Sequence, residues 1–477
     1  MLKTRGDAVL AAVFLALALG VIYSSAFGDL PVQAAITLTV FLIAVFLWIA
    51  TSLDDTYVAL GAALALVVTG VLTQEDFTHT LGTNLIWLLI GAFVVAAAIN
   101  ATGLMTKFAA YAVVRAHTPR QLVHLLTAAL LISTFAIPAP SGRAALTLPV
   151  FMSLGAMLAE RRRLVIALAM IFPTVILFSA IGSMLGAGAH LVTNEILAES
   201  VNDSFSFDEW LLLGLPLAVL WSHLAAEAIL LMFTDAEDRR RPISVPANSW
   251  PTEGPESPGT PLTRPQRQVL FLLAAVVIGW STQPIHHVHP AIIALIGALI
   301  AVAPRIGATT LPKALKTVPW SLLIFMAATL ALATAITKSG AADWIHAAFS
   351  SFRHLGAWAS VAFVIVTIVG SVAAHLVIQS RSARSAVLIP IIVATAPVVG
   401  VNPAAAAFIS TAAAGFCVTM TSSAKPIAMF AGVEGVATFN SRDLLRLSGT
   451  LAPVSVALLA LFAFAVWPAL GLEFQLQ

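Results

Sequence analysis

The stretch IPAPSGRAALTLP, Ile137–Pro149, sets one arginine, Arg143, between a Pro-Ser-Gly turn and a run of apolar residues. A second stretch, IQSRSARSAVLIP, Ile378–Pro390, makes the same choice. With Pro149 aligned on Pro390, Ser141 falls on Ser382, Arg143 on Arg384 and Ala145 on Ala386, so both obey S-x-R-x-A-x-x-x-P. An arginine in greasy surroundings is costly, about 2.5–3.5 kcal/mol at the centre of a membrane helix. A matched pair therefore asks for a shared purpose.

The surroundings are indeed greasy. Of 477 residues, 60% are hydrophobic and 10% charged, against roughly 25% charged in a soluble domain. Apolar runs repeatedly reach the ~20 residues that a helix needs to cross a hydrocarbon core. Backbone groups must be satisfied within lipid, and the short alternating segments of a barrel do not occur, so the expected fold is an all-α polytopic membrane protein. Lys3 and Arg5 followed by Ala8 to Phe27 resemble a signal peptide, but ahead of so many later spans they read as an uncleaved N-terminal helix, 1–31. The lone Cys417 excludes an intramolecular disulfide and a Cys-rich metal site. A net charge of +2 gives no reason to expect nucleic acid as a partner.

Charge placement predicts orientation. Most of the 24 Lys and Arg, including Lys3, Arg5, Arg115, Arg120, Arg161 to Arg163, Arg239 to Arg241, Arg305, Arg442 and Arg446, fall in alternate loops. The remaining loops hold Lys338, Arg353 and the acidic stretches TQEDFTH and NEILAESVNDSFSFDEW. The positive-inside rule then places the N-terminus in the cytoplasm, with the chain in the cell inner membrane. Arg143, Arg381, Arg384 and Lys425 escape this rule and need another explanation.

Asp235 to Arg267, with its prolines and clustered charges, reads as a disordered cytoplasmic linker between similar halves. WLLIGAFVVAAAINATG before it matches LIFMAATLALATAITKSG after it, and YVALGAALALVVTGVL matches AIIALIGALIAVAPRI. Matching blocks in the same order predict an internal repeat, 32–234 and 268–477, of five-helix units with opposite topology. Each S-x-R block lies in a segment long enough for two short helices, so each reads as a re-entrant hairpin, at about 120–158 and 357–397, with S-x-R at its tip. A broken helix follows each hairpin, at about 164–198 around Gly182, Gly186 and Gly188, and at about 403–437 around Ser422, Ser423 and Pro426.

At a hairpin tip, the free N–H groups of the second helix hold an anion. Ser141 and Ser382 suit that position as caps or ligands. Arg143 and Arg384 add forks that match carboxylate or sulfate oxygens. The opposing reading is that these arginines snorkel to water or neutralise acids such as Glu227 or Glu434. Arg381 is expected to support its tip. Lys425 is expected either to add a positive contact or to snorkel. His190 is expected either to meet substrate or carry a proton, or to tie down the unwound segment. The HHVH run, His286 to His289, reads as a solvated turn rather than a metal patch. No P-loop, H-E-x-x-H or suitable G-x-S-x-G occurs, and neither tip serine has an evident base beside it, so an enzyme is not expected.

Hairpin, broken helix, linker, hairpin and broken helix in this order resemble the divalent anion:sodium symporter family of dicarboxylate and sulfate transporters, within the wider ion transporter superfamily. That family carries Ser-Asn-Thr at each tip, where this chain has Ser141-Gly142-Arg143 and Ser382-Ala383-Arg384. Its broken-helix turns, G-T-G-P-N and S-T-P-P-N-like, fall at Gly186 to His190 and Ser422 to Pro426, which puts His190 and Pro426 where the turn asparagines would be. The resemblance implies an elevator-type secondary transporter with a dimeric scaffold and a substrate site at Ser141, Gly142, Arg143, Ser382, Ala383, Arg384, Gly186, Gly188, His190, Ser422, Ser423 and Lys425. The departures imply that fixed cations stand in for sodium, with no metal or cofactor. The expected cargo is a small C4-dicarboxylate-like dianion, or second a sulfate-like one, moved by exchange or with protons. An arsenite or cation/proton antiporter of the same superfamily is the alternative.

Overall fold

The computed structural model describes residues 5–243, 260–349 and 357–476. Apart from one isolated antiparallel bridge between Val401 and Gln475, the regular structure among the described residues is helical. The first half runs α1 (Arg5–Phe27), α2 (Val32–Ala50), α3 (Asp55–Val68), α4 (Gln74–Leu81), α5 (Asn84–Ala101) and α6 (Leu104–Val114). It continues through α7 (Pro119–Ala136), α8 (Pro140–Met157), α9 (Arg162–Phe178), α10 (Gly188–Val201), α11 (Phe207–Phe233) and α12 (Ala236–Arg240). The second half runs α13 (Arg264–Ser281), α14 (Gln283–His286), α15 (Pro290–Ala301), α16 (Leu311–Thr317), α17 (Trp320–Lys338) and α18 (Ala341–Phe349). It ends with α19 (Ala357–Ala373), α20 (Arg381–Thr395), α21 (Pro403–Ala413), α22 (Lys425–Ala431) and α23 (Ser441–Leu461). Eight helices among the described residues are long and apolar enough to cross a membrane, so the protein is an all-α polytopic membrane protein.

The packing repeats itself when the halves are exchanged. Helix α5 lies on α15 while α17 lies on α3, and α2 lies on α3 as α13 does on α15. Helix α8 packs on α9 and α22, whereas α20 packs on α21 and α10. Each hairpin, α7 with α8 and α19 with α20, is thus seated between the first arm of its own broken helix and the second arm of the other. Close approach is built in where these layers cross: a Cβ on Gly91 of α5 would stand 2.7 Å from the Ala294 backbone of α15. Helix α1 packs on α2, with Phe14 and Phe46 ring centroids 5.6 Å apart, and exposes Leu15, Leu19 and Ile22.

The expected linker is ordered at both ends, and 244–259 lie outside the described residues, as do Lys3 and Arg353. Ile243 is buried and its N–H donates to His117 O at 2.9 Å. Lys107 of α6 donates to Thr260 Oγ1 and Pro261 O, each at 2.9 Å. Helix α13 begins at Arg264, capped by the Thr263 hydroxyl, so the last residues assigned to the linker are helical.

Candidate functional site

Both hairpins turn as their prolines and serines dictate. Helix α8 starts on Pro140 after the extended Ala139, and Pro at the first helical position forfeits no hydrogen bond. Helix α20 is capped by Ser380, whose side chain accepts from Ala383 N at 3.3 Å. Ser141 and Ser382 therefore sit one residue inside their helices and are not the caps, which corrects the first of the two roles read from their pattern.

The two breaks share one backbone solution. Helix α9 stops at Phe178 and gives way to two 3₁₀ turns, Ser179–Gly182 and Met184–Gly186, before α10. The residue before α10, Ala187, has φ −157° and ψ 149°, and the residue before α22, Ala424, has φ −158° and ψ 142°. A turn at Thr421–Ser423 precedes Ala424 as Met184–Gly186 precedes Ala187. Gly188 is hence the counterpart of Lys425, and His190 the counterpart of Ile427, one position away from the match read from sequence. Gly186 is required sterically, because a Cβ there would stand 2.0 Å from Ala180 O.

The arginines define the site's electrostatics. Arg143 is fully buried and donates through Nη1 to Ser179 Oγ at 2.9 Å and through Nη2 to Ile176 O at 2.6 Å. From the opposite tip, the half-buried Arg381 directs Nη1 toward Leu177 O at 3.5 Å. The C-terminal carbonyls of α9, the negative end of its dipole, thus face one guanidinium from each hairpin. Arg384 is equally buried and differs: it lies beside the Cys417 thiol in the second break, and Nε, Nη1 and Nη2 all lack a hydrogen-bond partner among the described residues. Neither Glu227, bound to Arg120, nor the exposed Glu434 neutralises a tip arginine.

The remaining expected residues divide. Ser382 reaches the first break, its Oγ 3.1 Å from where a Cβ of Gly188 would be. Gly142 and Ala383 pack at their own tips, Gly142 against Ile137 and Ala383 fully buried. Ser423 Oγ accepts from Met420 N at 3.0 Å and shapes the second break, while Ser422 and Lys425 are exposed. His190 is buried, with Nδ1 3.0 Å from Ser183 O and its ring stacked on Trp210. That geometry ties down the unwound segment. His286 bonds Gly279 O and His289 caps α15, as a turn requires, and no group of three metal-ligating side chains converges among the described residues.

Sequence reasoning missed several participants. Ser179 and the carbonyls of Ile176 and Leu177 carry no signature before the fold is known. His375, near the second tip, bonds Thr419 Oγ1 at 2.7 Å, and Thr419 bonds Ser448 of α23, which anchors the second break. Asp55, at the start of α3, lies beside Ser380 and Lys425. A cavity of about 620 Å³, lined by Asn84, Leu185, Glu195 and Trp280 among others, reaches the first break from the end where α5 begins.

Residues 43–413 match the citrate transporter family, CitMHS. A relative described as "Membrane protein" from Cupriavidus necator is 23% identical over 393 residues, which is 80% of this chain and 74% of that protein. The crystal structure of the Alcanivorax borkumensis YdaH transporter, described as having an unusual topology, aligns with a TM-score of 0.57 at 14% identity, over 93% of this chain and 100% of that one. That likeness concerns the fold.

Proposed function

The chain belongs to the citrate transporter family and is a secondary transporter in a membrane, and from that premise we propose that its cargo is a small multivalent carboxylate. C4-dicarboxylates come first, as two carboxylates facing cationic tips, and tricarboxylates such as citrate are drawn in by the family name; sulfate-like oxyanions come second. The observation that carries the reading is Arg384, fully buried at a hairpin tip beside the Cys417 thiol, with no oxygen acceptor for its guanidinium among the described residues. A charge so placed is costly unless an anion meets it, and a planar fork suits a carboxylate.

Transport is sodium-independent in this reading, as exchange or with protons. A sodium ion at the first break would need the carbonyl end of α9, and Arg143 and Arg381 already address Ile176 O and Leu177 O. The exchange symmetry of the packing, with loop charges of opposite sign in corresponding positions, supports inverted repeats with hairpins and broken helices moving as an elevator. A dimeric scaffold, an inner-membrane location and a cytoplasmic N-terminus complete the proposal. The test is uptake of labelled succinate, citrate and sulfate by proteoliposomes, with and without sodium and a pH gradient. Saturable carboxylate transport that Arg384→Ala abolishes supports the proposal. Transport of a cation, with every anion of the panel ignored, would overturn it.

A further inference from the structure

Away from the tips, side chains of α7 and α11 form a hydrogen-bonded row. His124 of α7 places Nε2 3.1 Å from Glu227 Oε2 and Nδ1 2.9 Å from Nδ1 of His223. His223 and Glu227 are one turn apart on α11, and Arg120, one turn before His124, holds both Glu227 oxygens. The row is not enclosed by protein, the His124 side chain being 36% exposed and that of Glu227 20%. On neighbouring elements Arg239 of α12 bonds Thr234 O, Arg163 of α9 pairs with Asp235, Arg115 after α6 lies over the Tyr111 ring and Arg446 of α23 over the Phe233 ring. Glu227 is bonded directly to His124, and Arg120 holds Glu227 from the other side.

The geometry counts protons. An ionised carboxylate only accepts, so His124 Nε2 carries a hydrogen. The contact between the two Nδ1 atoms then holds one proton, whether His223 donates to His124 or a charged His124 donates to His223. A second proton would set N–H against N–H, and both rings would be cations in contact. The neutral and singly charged pairs keep the bond; the doubly charged pair breaks it.

We propose that the His124–His223 pair is a proton-binding latch that ties the first arm of the α7–α8 hairpin to α11 and opens in acid. Histidine is the side chain whose charge changes most readily with pH, and acid is what supplies the second proton. Opening takes up a proton, so the latch holds at higher pH and its opening constant rises about tenfold per pH unit as the pair becomes doubly charged. The consequence for transport is a hairpin freed by acid on the side where α7 begins. That consequence rests on the transporter reading; the latch itself does not.

The experiment is hydrogen–deuterium exchange of the full chain in lipid nanodiscs from pH 7.5 to 5, corrected for intrinsic exchange, read at 119–142. The expected result is opening that climbs with acidity in the wild type and is flat in His223→Gln, which can bond but cannot charge. His124→Gln provides the same readout if the first variant does not fold. A flat wild-type profile, or an acid slope retained in either folded variant, overturns the latch. Neither result depends on a cargo, so a failed latch leaves the transport proposal standing and a failed transport proposal leaves the latch testable.

Discussion

Arg143 and Arg384 occupy matching positions in sequence and different positions in the energy of the molecule. Arg143 offsets its burial with Ser179 Oγ and Ile176 O, so Arg143→Ala leaves an α9 carbonyl unanswered and should destabilise the protein by about 1–3 kcal/mol. A lowered melting temperature in detergent checks this. Among the described residues Arg384 has no such bond to lose. Arg384→Ala should leave the melting temperature near the wild-type value or raise it, while substrate affinity falls at least tenfold, since a charge-assisted hydrogen bond contributes about 1.5–3 kcal/mol. Unchanged affinity in a binding titration would remove Arg384 from the site. The S-x-R repeat made both arginines legible as a pair. Their different roles were not legible, because Ser179 and Ile176 lie far from either motif in the chain and meet Arg143 only through packing.

The broken helices show how far local chemistry reaches. Glycines at 182, 186 and 188, and Pro426 after Ser422 and Ser423, announce interruptions, and both interruptions occur. Which glycine matters is a matter of contacts. Gly186→Ala drives a Cβ into Ala180 O, so it should destabilise the first break by about 1–3 kcal/mol and slow transport. Gly449→Ala, in α23 where nothing lies within 4 Å of the new Cβ, should be neutral or stabilising by about 0.5–1 kcal/mol through helix propensity. Parallel thermal melts separate the two. Among the serines, Ser380 is the cap, so Ser380→Ala should cost about 1 kcal/mol of stability. Sequence pattern favoured Ser382 because it recurs at Ser141, yet capping is decided by where the backbone turns.

At the scale of the whole molecule, the halves exchange packing partners, so each hairpin is seated on arms of both broken helices. The α9 carbonyl end consequently receives Arg143 from one half and Arg381 from the other. Two guanidinium groups there would repel a sodium ion by about 4 kcal/mol each, at 4 Å and an effective dielectric near 20. Counterflow of the best carboxylate substrate should therefore persist when choline replaces sodium at fixed pH. Loss of counterflow in choline, restored saturably by sodium, would show that the arginines have not taken the cation's place.

The sequence alone determined that the chain lives in a membrane, that it is helical, and where hairpins and breaks interrupt it, because hydrophobic run length and turn residues are local properties. Tertiary structure alone decided that Arg143 is bonded to Ser179 and Ile176 while the Arg384 guanidinium meets no oxygen acceptor among the described residues, that His190 faces Ser183 and Trp210, and that His124 meets His223 across two helices. Those outcomes depend on which carbonyls and side chains arrive opposite each charge, and a buried charge takes its meaning from its partners rather than from its neighbours in the chain.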